Sequence, residues 1–203
     1  MGIICLTIIT LNNVFYKFNL NFVVLLPLLI LSIPIIFYKD NKLYNINDCL
    51  YILGIVYFLG LSFNNIIFLR DTNISKCIFI FIIAFITDTY AYIGGNLIGR
   101  HKLTDISPKK TTEGTIIGTI MGVFIGGVYY YNFIGDYTIF QTVMLCLFLT
   151  ILSEIGDLMF SSIKRYFNKK DYSNLIPGHG GVLDRFDSVI YVSLGLSLIL
   201  NMF

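Results

Sequence analysis

Glu154, Asp157, Ser161 and Lys164 interrupt an otherwise apolar run at intervals of three, four and three residues. On a helix that spacing sets all four on one face. Ile151, Leu152, Ile155, Leu158, Met159, Phe160 and Ile163 occupy the other faces. A second set, Asp184, Asp187, Ser188 and Tyr191, shares a helical face directly after the segment "PGHGG". That segment is poor in side chains, bends tightly and can offer backbone N–H groups to an anion. The helix after it points a partial positive charge at the same place. Two such helices facing each other would bring Asp157 and Asp184 together beside Lys164, Arg165 and Arg185. Carboxylates alone suit a hard divalent cation such as Mg²⁺. Cations alone suit phosphate. The mixture suits a metal-bound polyphosphate, in which a metal bridges carboxylate and phosphate oxygens.

A third stretch, "FITDTYAYIGGNLIGRHKLTDISPKKTTEG", runs from Phe85 to Gly114. At 1.5 Å per residue Asp88 stands roughly 16 Å inside a helix ending near Gly99, on one face with Tyr92 and Gly95. Gly94, Gly95 and Gly99 would let another helix approach closely. Pro108 stops helix, and Lys109 and Lys110 present two ammonium groups to a phosphate. Neither GxxxxGK[ST] nor GxGxxG occurs, and the two histidines, His101 and His179, lack zinc-ligand spacing.

The elements that must hold these residues are read from composition and charge. Of 203 residues, 56% are hydrophobic and 13% charged, and the mean hydropathy is +0.79. Soluble domains carry about 25% charged residues. This is the profile of an all-α, polytopic transmembrane helix bundle. The chain allows about six or seven spans of about 20 residues each, with no room for a separate soluble domain. Apolar runs fall at 2–16, 20–38, 48–69, 75–98, 114–134, 138–163 and 186–203. Each is longer than a strand, and with a bilayer to satisfy such runs should be helices. Cys5, Cys49, Cys77 and Cys146 are dispersed, with no CxxC pair, and read as small buried hydrophobes. No Lys or Arg precedes Lys17, so the first run is expected to be a retained span, not a cleaved leader.

Nine of the fourteen Lys and Arg residues fall in two stretches: Arg100, Lys102, Lys109 and Lys110, then Lys164, Arg165, Lys169, Lys170 and Arg185. Two spans separate them, so both face one side, the cytoplasm by the positive-inside rule. An ionised group inside a span costs several kcal/mol unless paired or metal-bound, and functional use is the default expectation for one.

The stretch Ser161-Ser162-Ile163-Lys164-Arg165, then Lys170-Asp171, then Ile176-Pro177-Gly178-His179-Gly180-Gly181-Val182-Leu183-Asp184-Arg185-Phe186-Asp187 resembles the signature of phosphatidate cytidylyltransferases, the CDP-diacylglycerol synthases. "SEIGD" and "TDTYAY…GR…SPKKTTEG" are similar to that family too. The resemblance runs from Leu69 to Phe203. Residues 1–68 are read as N-terminal transmembrane helices and 69–203 as the catalytic transmembrane domain. Family members carry more spans before this point.

The resemblance implies the reaction of CTP with phosphatidic acid to give CDP-diacylglycerol and pyrophosphate at the cytoplasmic edge of the bilayer. It implies Mg²⁺ on Asp157 and Asp184 and allows a second cation such as K⁺ and a homodimer. No nucleic acid partner is expected. Lys164, Arg165, Lys109, Lys110 and Arg185 are the expected phosphate contacts, with Asp157, Asp184, Lys164 and Arg185 closest to the chemistry. Ser161 is counted with the substrate-binding residues. His179, Gly180 and Gly181 are expected in the nucleotide pocket, with Asp187 and Asp88 as secondary candidates. The alternatives are a cytidylyltransferase for another lipid phosphate, such as an ether lipid, a CTP-dependent lipid kinase, and a cation transporter lined by Glu154, Asp157 and Asp184. Basic clusters at the entrance argue against the transporter.

Overall fold

Helix forms along every apolar run. The computed structural model describes residues 1–16, 18–37, 44–173 and 180–200. Its helices are α1 (Gly2–Thr10), α2 (Leu20–Phe37), α3 (Ile46–Thr72), α4 (Ile74–Ile98), α5 (Thr112–Phe133), α6 (Ile139–Tyr166) and α7 (Leu183–Leu200), with a π-helical turn at Asn12–Tyr16. No β-strand occurs among the described residues, so the expected all-α membrane bundle is what forms. Helices α3, α4, α5 and α6 are long and apolar enough to cross a bilayer by length and composition. The first apolar run yields only the nine residues of α1, and α7 opens with Asp184, Arg185 and Asp187.

The chain divides into two compact units, Met1–Thr72 and Asn73–Phe203. In the first, α1, α2 and α3 pack around Cys5, Ile9, Val23, Leu31, Cys49 and Val56. Pro27 and Pro34 lie inside α2 and remove two backbone donors from it. From the loop before α3 and from α3 itself, the Tyr44 hydroxyl and the Cys49 thiol donate to the Leu31 carbonyl of α2, at 2.8 and 3.2 Å.

The second unit, α4 to α7, carries the candidate chemistry. Three of its helices, α4, α5 and α6, begin on side-chain caps: Asn73 accepts from the N–H groups of Ser75 and Lys76, and Thr111 from that of Gly114. Thr138 and Gln141 cap each other's backbone at the start of α6. Such caps satisfy amides that the helix itself leaves unpaired. All four cysteines are free, and Cys5, Cys49 and Cys146 are buried.

Helix α5 has two opposed faces. Gly114, Gly118, Gly122 and Gly126 recur every fourth residue and are buried. Ile116, Ile120, Phe124 and Val128 look outward, each more than half exposed. An apolar exterior with a small-residue interior is what a helix in lipid presents. The glycines bring α5 against α4: a Cβ on Gly118 would lie 2.6 Å from the Thr87 carbonyl oxygen, and one on Gly114 2.5 Å from that of Ala91. Backbone atoms cannot yield there. Gly118→Leu is therefore expected to lower the thermal midpoint in detergent sharply, because overpacking costs about 1–3 kcal/mol even where side chains can shift. Gly127→Leu, which meets nothing within 4 Å, should leave that midpoint unchanged. Equal unfolding profiles for the two variants would remove the close-contact argument.

Candidate active site

Three segments converge at one end of the second unit: the loop between α4 and α5, the last turns of α6, and the start of α7. The loop is a folded hairpin. Lys102 and Thr111 form an antiparallel bridge, and the Leu103 N–H donates to the Lys110 carbonyl at 2.9 Å. The Lys110 N–H donates to the Ser107 carbonyl at 3.0 Å across the turn that holds Pro108. Glu113, in the first turn of α5, clamps the loop's beginning. Its Oε2 accepts from the N–H groups of Arg100 and His101 at 3.1 and 3.3 Å, and its Oε1 lies 2.6 Å from the His101 ring Nδ1.

This scaffold drives one lysine inward. Lys110 Nζ sits 2.7 Å from Glu154 Oε2 and 2.8 Å from Asp157 Oδ2. Burial alone would pull its pKa down; the carboxylates of Asp157 and Glu154 reverse that and hold the ammonium above the ordinary lysine value. Lys110 is therefore a permanent cation at neutral pH.

A second ion pair joins α6 to α7. Lys164 Nζ lies 2.8 Å from Asp184 Oδ1, with both side chains about nine-tenths buried. The other Asp184 oxygen accepts from the N–H groups of Tyr172 at 2.9 Å and Gly181 at 2.8 Å. The chain can return to make these bonds because α6 stops abruptly. Asn168 is left-handed (φ 54°), and the Lys169 N–H bonds back to the Lys164 carbonyl at 2.9 Å. Asparagine tolerates that conformation better than most residues. Tyr172 then lies beneath Lys164, whose Nζ is 5.3 Å from its ring centroid. Burial, reinforced by the Asp184 and Asp187 carboxylates, pushes the Tyr172 phenol up to about 12. It stays protonated and donates to the Phe160 carbonyl at 3.2 Å. Gly180 has a φ of 79°, and a Cβ there would press on Asp184 Oδ2 at 3.1 Å.

These pairs border a cleft of about 280 Å³. Helix α4 lines it with Asp88, Ala91 and Tyr92, the loop with Lys109, Lys110 and Thr111, and α5 with Thr115. Asp157 comes from α6, and Asp184, Arg185 and Asp187 come from α7. A smaller recess of about 210 Å³ shares Asp88, Asp184, Arg185 and Asp187 and adds Phe85 and Thr89 of α4. Asp88 Oδ2 accepts from the Ser188 hydroxyl at 2.9 Å, tying α4 to α7. Asp187 Oδ1 accepts from the Ser188 N–H at 2.9 Å.

Seven residues singled out from the sequence thus meet at one cleft: Asp88, Lys109, Lys110, Asp157, Asp184, Arg185 and Asp187. Others stand back from it. Lys164 is committed to Asp184 behind the cleft wall. Ser161 reaches Asp157 Oδ1 only at 3.5 Å. Arg165 turns away, its Nη1 donating to the Lys169 carbonyl at 3.0 Å. Gly180 and Gly181 serve Asp184, and His179 lies outside the described residues. Sequence reasoning set Tyr92 on the Asp88 face without giving it a role, and missed Ala91, Thr111 and Thr115 as lining residues and Tyr172 as a support. Thr111 and Thr115, four apart at a helix start, carried a weak signal, and Tyr172 carried none.

The donor set is made of carboxylate oxygens, as a hard cation requires. Among the described residues no three acidic, histidine or cysteine side chains converge into a metal cluster. Mg²⁺ commonly needs only one or two carboxylates when substrate phosphates complete its shell, and Asp157 and Asp184 both line the cleft.

Residues 1–203 match the model of the cytidylyltransferase family. Proteins named phosphatidate cytidylyltransferase from Staphylococcus haemolyticus and Staphylococcus saprophyticus are 36% and 34% identical to it over 154 residues. One of the same name from Staphylococcus aureus is 35% identical over 156 residues. Each alignment covers 75% of this chain and 59% of the relative, so the chain spans about three fifths of the length of the curated relatives it matches. An apolar bundle with acids and lysines gathered at one end, matched by that family model from first residue to last, belongs to the cytidylyltransferase family.

Proposed function

We propose that this chain is an integral-membrane phosphatidate cytidylyltransferase, joining CTP to phosphatidic acid and releasing pyrophosphate, with its cleft on the cytoplasmic side. The observation that carries the reading is the cleft itself, where four aspartates face Lys109, Lys110 and Arg185 at the end of apolar helices. The relatives' names point to the same substrates.

The chemistry asks little of a general base. The phosphate of phosphatidate is already ionised, so one of its oxygens attacks the α-phosphorus of CTP directly. The bond from that phosphorus to the bridging oxygen breaks, and its electron pair leaves with pyrophosphate. Rate then comes from positioning two anions and neutralising charge as it develops. Lys109, Lys110 and Arg185 supply fixed positive charge for the triphosphate and the leaving group. Asp157 and Asp184 would hold Mg²⁺, which when bound neutralises phosphate charge. A second cation such as K⁺ belongs to the same proposal, given the four aspartates in the cleft. The recess beside Phe85, whose ring is half exposed, offers a lipid headgroup a lateral approach while its acyl chains stay in the bilayer. The cytoplasmic placement rests on the two basic stretches, which lie at the same end of the unit.

Sealed vesicles bearing the protein, given CTP, Mg²⁺ and phosphatidate, are expected to release pyrophosphate and form CDP-diacylglycerol in equal amounts. Only vesicles with the cytoplasmic face outward should respond to external CTP. Release of CDP in place of pyrophosphate would make the protein a lipid kinase, and turnover from the opposite face would overturn the sidedness. An ether-linked substrate in a parallel assay sets the lipid preference.

A further inference from the structure

Glu154 lies deeper than any other acid of α6, only 5% exposed. Its Oε2 accepts from Lys110 Nζ at 2.7 Å, and its buried Oε1 has no hydrogen-bond partner among the described residues. Glu154 does not line the cleft, whereas Asp157, one turn on, does. Lys110 is therefore shared between an acid at the cleft surface and an acid behind it. An ammonium has three N–H donors, and these two carboxylates account for two of them. The Lys110 backbone is pinned by Ser107 and Leu103, so only its side chain can move.

A lysine paired with Asp157 alone would face a conflict. Any ligand that draws on Asp157 would release the lysine from its only anchor and let it swing away from the incoming anion. The second carboxylate removes that conflict. We infer that Glu154 is a positioning residue: it retains Lys110 at the cleft when Asp157 engages the ligand and directs the freed N–H donors at phosphate oxygens. The inference rests on the nucleotidyl-transfer reading only for the identity of the anion.

The test is a double-mutant cycle on the full chain in detergent, with E154Q, K110M and the double variant. Because K110M alone leaves a buried carboxylate unpaired, the double variant, which removes both charges, provides the folded reference. Two readouts are taken for each protein: kcat/KM for CTP with phosphatidate, and the equilibrium affinity for inorganic pyrophosphate in Mg²⁺. E154Q is expected to lose about 10- to 100-fold in kcat/KM, the range for removing an outer partner that orients a site residue, and to bind pyrophosphate correspondingly more weakly. Glu154→Asp, which keeps the charge, should recover part of both. The double variant should be no worse than K110M within about twofold, because Glu154 acts only through Lys110. E154Q within about twofold of the unmodified protein overturns the inference. So do losses that multiply in the double variant, or a loss of thermal midpoint with affinity and turnover per folded molecule intact. A protein that binds pyrophosphate with the expected coupling but does not turn over phosphatidate keeps the positioning role and removes the substrate reading. Turnover with uncoupled effects does the reverse, and a protein that does neither overturns both.

Discussion

Asp184→Asn is expected to abolish nearly all CDP-diacylglycerol formation, the largest single loss of any substitution in the cleft. Asparagine has the same shape but no charge. The Lys164 ammonium, about nine-tenths buried, would lose its counter-ion. Breaking a buried pair from one side costs about 3–5 kcal/mol, which corresponds to roughly 150- to 5000-fold if all of it falls on the transition state. Two further bonds weaken, those from the Tyr172 and Gly181 N–H groups to Oδ2, and with them the turn that carries the chain into α7. The proposed Mg²⁺ site loses one of its two carboxylates at the same time. Initial rates in detergent with saturating CTP and phosphatidate, normalised to the monodisperse fraction, provide the check. An Asp184→Asn protein with more than a tenth of normal activity would show that this carboxylate is dispensable.

Lys164→Ala should fail for a related reason, and Lys169→Ala should not. The two lysines are five residues apart and live in different surroundings. Lys164 is held by Asp184 over the Tyr172 ring. Lys169 follows the left-handed Asn168 and is exposed. A charge-assisted bond to a buried partner contributes about 1.5–3 kcal/mol, or about 10- to 150-fold in rate when it holds the reacting geometry. An exposed lysine contributes far less. In kcat/KM for CTP, Lys164→Ala should thus fall at least tenfold while Lys169→Ala stays within about twofold. Arg185→Ala, whose side chain lines the cleft, should fall with Lys164→Ala. Combining Lys164→Ala with Asp184→Asn should add little to the worse single change, because both break one pair. Equal losses at Lys164 and Lys169 would mean that the basic stretch acts as a diffuse field.

Much of this site can be read from helical periodicity. The spacing of Glu154, Asp157, Ser161 and Lys164 places a polar stripe on α6, and that of Asp184, Asp187 and Ser188 does so on α7. Periodicity reports which residues share a face, not which partner meets that face. The sequence suggests that Lys164 and Arg165 both reach the substrate phosphates. In the structure the chain reverses at Asn168, which commits Lys164 to Asp184 and turns Arg165 toward the Lys169 carbonyl. No pattern marks that reversal, because a single left-handed residue has no period. The union of Lys110 with Glu154 is equally hidden, since a hairpin loop sets its reach through bonds specific to its own backbone. The glycines at 114, 118, 122 and 126 are a different case. Their four-residue repeat stands in the string, and attention to Gly94, Gly95 and Gly99 in the neighbouring helix found only half of that contact.

The ion pairs also bear on how the chain enters a membrane. Synthesis runs from the N-terminus, and segments assemble as they emerge. Lys110 precedes Glu154 by 44 residues, and Lys164 precedes Asp184 by 20. In both pairs the cation is translated first. Each of these acids therefore reaches the bilayer when a counter-charge is already waiting at the membrane face, and an acid delivered to lipid alone would be costly to insert. Asp88 is the exception, since its Ser188 partner arrives 100 residues later. Until α7 is made, α4 must carry that carboxyl without its final hydrogen bond. Chains truncated before α7 should on this logic hold α4 less firmly in the bilayer than chains that include it, whereas the α6 acids Glu154 and Asp157 already have Lys110.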